Sequence, residues 1–199
     1  MAKSRRTVFA VLVLLAAAGC LGRSPEVRHF VLGVSSASQA VDQKLNLAVL
    51  VGPVRLPGYL QRSQIATLEA DGEMELHEFD RWLGGFEENL VRAMTLGLAS
   101  ELGSDRVVAA PSRAPFDFDY QIRLHVDDVI FETAGALHLR IRWALLPKSQ
   151  DASPVFFVMD ERFLSQGDEI RDLVRVHELA LRTLVRRIAD EISQAEAKH

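Results

Sequence analysis

The chain has 199 residues, with 23 basic against 27 acidic side chains, a formal net charge of −4 and a single cysteine. A lone thiol excludes a disulfide framework, and an acidic balance of this kind leaves no electrostatic footprint for nucleic acid. No apolar run reaches the roughly 20 residues that a membrane-spanning helix needs, so the chain is not read as a spanning protein.

The N-terminus carries Lys3, Arg5 and Arg6, an unbroken apolar run over residues 8–18, Gly19-Cys20, and a polar stretch opening with Arg23-Ser24-Pro25. That is the layout of an export signal with a small-residue cleavage site. Ala17-Ala18-Gly19-Cys20 resembles a lipobox, in which the cysteine takes a diacylglycerol and becomes the acylated N-terminus. The expectation is a signal peptide over residues 1–19, a tether lipidated at Cys20 over 20–28, and one domain over 29–199. An ordinary secretory signal cut near Ala18 is the alternative, but it would leave a thiol with no disulfide partner in an oxidising compartment. A triacylated cysteine buries several chains at roughly 0.8 kcal/mol per methylene, enough to anchor the protein through its lipid. Three basic residues leave with the signal, so 20 remain against 27 acidic, a net charge of −7. Residue 21 is Leu and not Asp, which by resemblance to enterobacterial lipoproteins implies the periplasmic face of the outer membrane.

Beyond the tether, His29-Phe30-Val31-Leu32 reads as an edge strand and residues 35–44 as a polar connection. Residues 45–54 are almost continuously aliphatic, the pattern of a strand covered on both faces. Gly52-Pro53 and Pro57-Gly58 punctuate it. Residues 65–70 and 74–79 flank Asp71-Gly72, a hairpin signal that predicts a type I′ turn with positive φ at both positions. Over residues 82–102 the period becomes helical: Leu83, Phe86, Leu90, Met94, Leu98 and Leu102 fall on one face. Gly103 stands where a helix end takes a left-handed residue. Residues 106–109 read as a short strand and 111–115 as a loop.

Phe118, Tyr120, Ile122, Leu124 and Val126 then alternate with Asp119, Gln121, Arg123 and His125, a half-buried strand. After Val126 the apolar phase flips to Val129 and Phe131, which predicts a β-bulge. A turn at Thr133-Ala134-Gly135 leads to Leu137, Leu139, Ile141, Trp143 and Leu145, alternating with His138, Arg140 and Arg142. Matching Phe131 to Leu137, Val129 to Leu139, Val126 to Ile141 and Leu124 to Trp143 places Asp127 and Asp128 opposite Arg140. An Arg140 ion pair is expected there. Residues 155–164 supply a third strand after a polar loop. Ile170, Leu173, Val174, His177, Leu181, Leu184, Ile188 and Ile192 form the stripe of a long C-terminal helix. The expected fold class is α+β, a mostly antiparallel mixed sheet with two long amphipathic helices packed on it.

No reaction is encoded in these patterns. His177 lies in an apolar helical stripe and reads as a satisfied core histidine. His77, His125 and His138 sit on strands without metal-ligand spacing. There is no G-x-S-x-G, no Walker A, and no nucleophilic cysteine once Cys20 is acylated. Leu83-Gly84-Gly85 lacks the third glycine and the following Lys-Ser/Thr of a phosphate loop, and reads as a hinge or tight helix start. Arg171, Arg175, Arg182 and Arg186 share a face with Glu178, whose pairing with Arg182 makes a solvated face. Neither enzyme activity, metal nor cofactor is expected. Residues 51–62 differ in kind: Arg55, Leu56, Pro57, Tyr59 and Leu60 form a stiff, partly apolar loop suited to a partner surface, extended by Arg81-Trp82. The competing reading tucks Tyr59 and Leu60 under the sheet.

The lipobox, Gly52-Pro53-Val54-Arg55-Leu56-Pro57-Gly58-Tyr59-Leu60 with Arg62 and Ile65, Phe79-Asp80-Arg81-Trp82 before the first helix, and the long final helix resemble the PqiC-like ABC-type transport auxiliary lipoproteins. The resemblance implies a non-catalytic periplasmic lipoprotein of an envelope lipid transport system. It would dock an MCE-type substrate-binding protein that works with an inner-membrane permease and ATPase. Self-association stays open. The alternative is a lipoprotein that itself holds a lipid or small apolar ligand between sheet and helices, which a continuous apolar cavity would favour and tight helix packing would exclude.

Overall fold

The computed structural model describes residues 25–33, 45–133, 135–149 and 153–197. The expected signal segment and Cys20 lie outside the described residues. The sheet is organised around one long hairpin, β6 (Tyr120–Glu132) and β7 (Ala136–Pro147), antiparallel along its whole length. Its register is the one the apolar phase requires: Leu124 faces Trp143, Val126 faces Ile141, and after a shift Val129 faces Leu139 and Phe131 faces Leu137. Asp127 is the extra residue of the bulge.

The expected Arg140–Asp127 ion pair is present, and two further groups join it at shorter range. Asp127 is gripped through both oxygens by Arg142, at 2.8 and 2.5 Å. Arg140 stands 3.8 Å from Asp127, and its short contact is with Asp160 at 2.6 Å. Asp160 lies on β8 (Val155–Leu164), directly opposite Arg140. A two-strand argument had no access to that third-strand carboxylate.

The other long side of β6 is shared. Its first half pairs in parallel with β2 (Val49–Arg55), which also pairs with the short β5 (Val107–Ala109). Its far end meets β3 (Gln64–Leu68) at Leu68 and Glu132. β4 (Met74–Trp82) follows antiparallel to β3, and β1 (Arg28–Phe30) closes that edge in parallel with β4. The β3–β4 turn is not type I′, because no non-glycine described residue has positive φ. Gly72 alone has it, at 89°, and its N–H bonds Glu69 O while Glu69 N–H bonds Glu73 O. That is a three-residue loop, a tight turn closed by a left-handed glycine.

Helix α1 (Phe86–Leu102) begins four residues later than the periodicity suggests, since Trp82 ends β4. Gly84 and Gly85, at φ 77° and 90°, make the strand-to-helix corner, a conformation that costs other residues. Gly103 ends the helix at φ 61° as expected. Helix α2 (Ile170–Glu196) buries Leu173, Leu181, Leu184, Ile188 and Ile192. Both helices lie on one face of the sheet. Side chains from α1 (Phe86, Leu90) and α2 (Ala180, Leu184) meet β6 and β7 (Val126, Ile141) around a residual space of only about 20 Å³.

Asn89 fastens the start of α1. Its Nδ2 donates to Leu83 O and Gly85 O at 2.6 and 2.7 Å, and its Oδ1 accepts Leu32 N–H at 3.0 Å. Asn89 is 1% exposed, so water does not replace these bonds. Asn89→Ala leaves the buried Leu32 N–H without its acceptor and is expected to lower stability by about 1–3 kcal/mol, read as a lower urea midpoint with an unchanged slope.

Candidate functional site

The loop 56–63 leads from β2 to β3 across the gap where β6 changes partner. Pro57 is extended and precedes a single 3-10 turn, Gly58–Gln61, closed by Leu60 N–H to Pro57 O at 3.1 Å. The turn drives Leu60 into the core, where it is 7% exposed. Tyr59 is half-buried, and its hydroxyl accepts the Val129 N–H at 3.0 Å, with Val129 O at 3.5 Å. Burial pushes the Tyr59 phenol up from its ordinary pKa. Of the competing readings, the structure realises the tucked one for these two residues.

Trp82 is core as well, 4% exposed, in edge-to-face contact with Phe86 and His177 at 5.6 Å each. An exposed partner contact through Trp82 is therefore corrected: β4 ends there with its side chain aimed under the helices. Arg81 is half-exposed, bonding Glu78 O at 3.2 Å. Among the expected contact residues, Arg55 is exposed and Leu56 and Pro57 are partly so. The structure thus splits the set into residues packed on or in the core (Leu56, Tyr59, Leu60, Trp82) and residues at the surface (Arg55, Pro57, Arg81).

His177 is the satisfied core residue the stripe predicts. A carbonyl oxygen only accepts, so Nδ1–H donates to Leu173 O at 2.8 Å. Burial pushes its pKa down to about 4, and the ring is neutral at pH 7. Glu178 does not pair with Arg182; it accepts the Gly33 N–H at 2.9 Å. Arg175 bonds Asp172 and Arg186 reaches Glu101. His125 and Asp127 do share a face, at 3.4 Å, with Asp127 held below the usual carboxylate range chiefly by Arg142. Among the described residues no cluster of three or more His, Cys, Asp or Glu could hold a metal ion.

Two residues escaped the sequence reading. Asp80, 6% exposed, takes Arg28 bidentately at 2.6 and 2.9 Å and ties β1 to β4. Asn89 left a signal: a polar side chain on the apolar stripe of Phe86, Leu90 and Ala93, one turn into a helix, marks a buried hydrogen-bonding position.

Among the described residues, a sheet covered by two helices on one face, with its loops and helix starts tied by buried polar groups, defines an α+β scaffold. The chain belongs to the family of the ABC-type transport auxiliary lipoprotein component, whose model matches residues 30–189. Two solved structures share the fold. One is an uncharacterized protein, 18% identical, with a TM-score of 0.68 over 84% of this chain and 99% of the other. The second is protein XCC0632 from Xanthomonas campestris, of the DUF330 family, 13% identical, with a TM-score of 0.68 over 87% of this chain and 100% of the other. No curated protein matches the chain.

Two expectations follow from the loop and the histidine. Tyr59→Phe leaves the Val129 N–H without its acceptor and is expected to cost about 1–3 kcal/mol in denaturant unfolding. His177 binds its proton more readily in the unfolded chain, near pH 6.5, than in the fold, near 4. Its contribution is thus whole above pH 6.5 and lost as pH falls toward 4, at most about 3 kcal/mol. His177→Phe is expected to flatten the decline in stability between about pH 7 and about pH 4.5; an unchanged slope would assign that decline to the carboxylates.

Proposed function

We propose that this chain is a non-catalytic docking lipoprotein of an ABC-type envelope lipid transport system, anchored through Cys20 on the periplasmic face of the outer membrane. Residues 1–19 act as its signal peptide, 20–28 as the tether and 29–199 as the domain that receives an MCE-type substrate-binding protein. Family membership supports the transport role and the lipoprotein character. No described helix is long and apolar enough to cross a membrane, which agrees with attachment by lipid.

The observation that carries docking is the filled interior. Among the described residues, the apolar space lined by Phe86, Leu90, Val126, Ile141 and Leu184 amounts to about 20 Å³, room for roughly one water molecule and for no acyl chain. What the domain offers is its surface, and the rigid loop beside β2 presents Arg55 and Pro57 on it, with Leu56 partly buried between them and Arg81 nearby. Tyr59, Leu60 and Trp82 hold that loop from below. ATP hydrolysis belongs to another subunit of such a system, since the chain has no nucleotide-binding motif.

Cys20→Ser is expected to leave a soluble periplasmic protein that no longer incorporates labelled fatty acid; continued membrane partitioning with labelling would sink the anchor. Affinity purification of the intact chain from its own membranes is expected to bring down components of one ABC transport system. Recovery of the chain alone would remove the docking role.

A further inference from the structure

The sheet face that the helices leave bare changes character along its length. In its middle the charges are spent on one another: Asp127 with Arg142, Asp160 with Arg140 and His138, and Glu132 with Arg162. Toward the end where β2 lies beside β6, a groove of about 600 Å³ opens, walled by Leu146, Phe156 and Val158 and rimmed by Arg55 and Arg123. Phe156 is 78% exposed and Val158 56%. A single exposed apolar side chain is ordinary, but these neighbours gather in one concavity.

Two cations without a charged partner among the described residues rim it. Arg55 makes no side-chain hydrogen bond or ion pair among the described residues, and Arg123 bonds only the neutral Gln121, at 3.2 Å. The groove's outer wall, β8, is an edge strand: it pairs with β7 alone, and its other side makes no backbone hydrogen bond among the described residues.

We infer that this groove and the free edge of β8 seat an extended polypeptide segment of the transport partner. That segment carries carboxylates for Arg55 and Arg123 and an apolar side chain for Phe156 and Val158. The inference rests on the docking reading above and gives it a surface and a chemistry. Unpaired guanidinium groups select carboxylates and suppress cationic partners. A bare strand edge is matched in register by another main chain, which a lipid lacks. The net charge of −7 left after loss of the signal repels an anionic membrane surface at long range, whereas a short segment meets only the local cations. β8 is also the edge remote from β1, where the tether joins: five strand-to-strand steps separate them, about 24 Å along the sheet.

The test places the photoreactive residue p-benzoyl-phenylalanine at position 156 of the full chain and irradiates intact cells. The expected product is an adduct with a peptide of a transport-system protein that has Asp or Glu within a few residues of the cross-link. Arg55→Glu with Arg123→Glu is expected to lower its yield at least about tenfold, with the circular dichroism and melting of the chain unchanged, and Arg55→Lys with Arg123→Lys to retain most of it. An adduct with lipid, an adduct with a second copy of this chain, no adduct, or a yield indifferent to charge reversal overturns the inference. Transport components that still co-purify with the charge-reversed chain overturn the groove and leave the docking reading standing. An unaltered chain that recovers none removes the docking reading by itself.

Discussion

Val126 and Val129 both face the helices, although side chains on a strand alternate and residues three apart belong on opposite faces. The only way to keep both buried without breaking the hairpin is to let one residue out of register, and Asp127 is that residue. A bulge bends and twists its strand. Here β6 parts from β2 after His125 and takes up β3 only at Glu132. The gap between those neighbours would leave β6 backbone groups without partners, and the Tyr59 hydroxyl closes it at Val129. The bulge, the fork in the sheet and the loop between β2 and β3 are one structural solution.

The same economy governs the polar groups at the N-terminal edge. β1 is only three residues long, too short to hold by strand pairing alone. Arg28 clamps Asp80, and the chain just beyond β1 is tied to both helices: Asn89 and Arg92 of α1 take the Leu32 N–H and C=O, and Glu178 of α2 takes the Gly33 N–H. A carboxylate that accepts a backbone N–H makes a charge-assisted bond, stronger than a neutral one. The segment nearest the proposed anchor is thus fastened to every layer of the domain.

One-sided cover is what separates scaffold from surface. Packing α1 and α2 tightly against β6 and β7 leaves only about 20 Å³ among their apolar side chains, and among the described residues the opposite face carries ion pairs. Among the described residues, that face pairs most of its charges, while beside β2 Arg55 and Arg123 stand without a charged partner near the exposed Phe156 and Val158. A docking role needs no more than a rigid frame and such an uncompensated patch.

Local patterns in the chain were enough for the α+β class, the two helices, the β6–β7 register and the bulge, because each is written in side-chain period: two for a strand, 3.6 for a helix, and a slip where the phase flips. His177 was legible for the same reason, as a polar group on an apolar stripe. Partnerships between distant segments were not. Arg140 reached Asp160 more closely than Asp127 because a third strand lay alongside. Glu178 served Gly33 rather than Arg182 because β1 ended beneath α2. Trp82 went inward because two glycines ended β4 just after it and began the helix at Phe86. In each case several partners were chemically equivalent along the chain, and only the packing of layers, which sets which of them come within hydrogen-bonding distance, could choose among them.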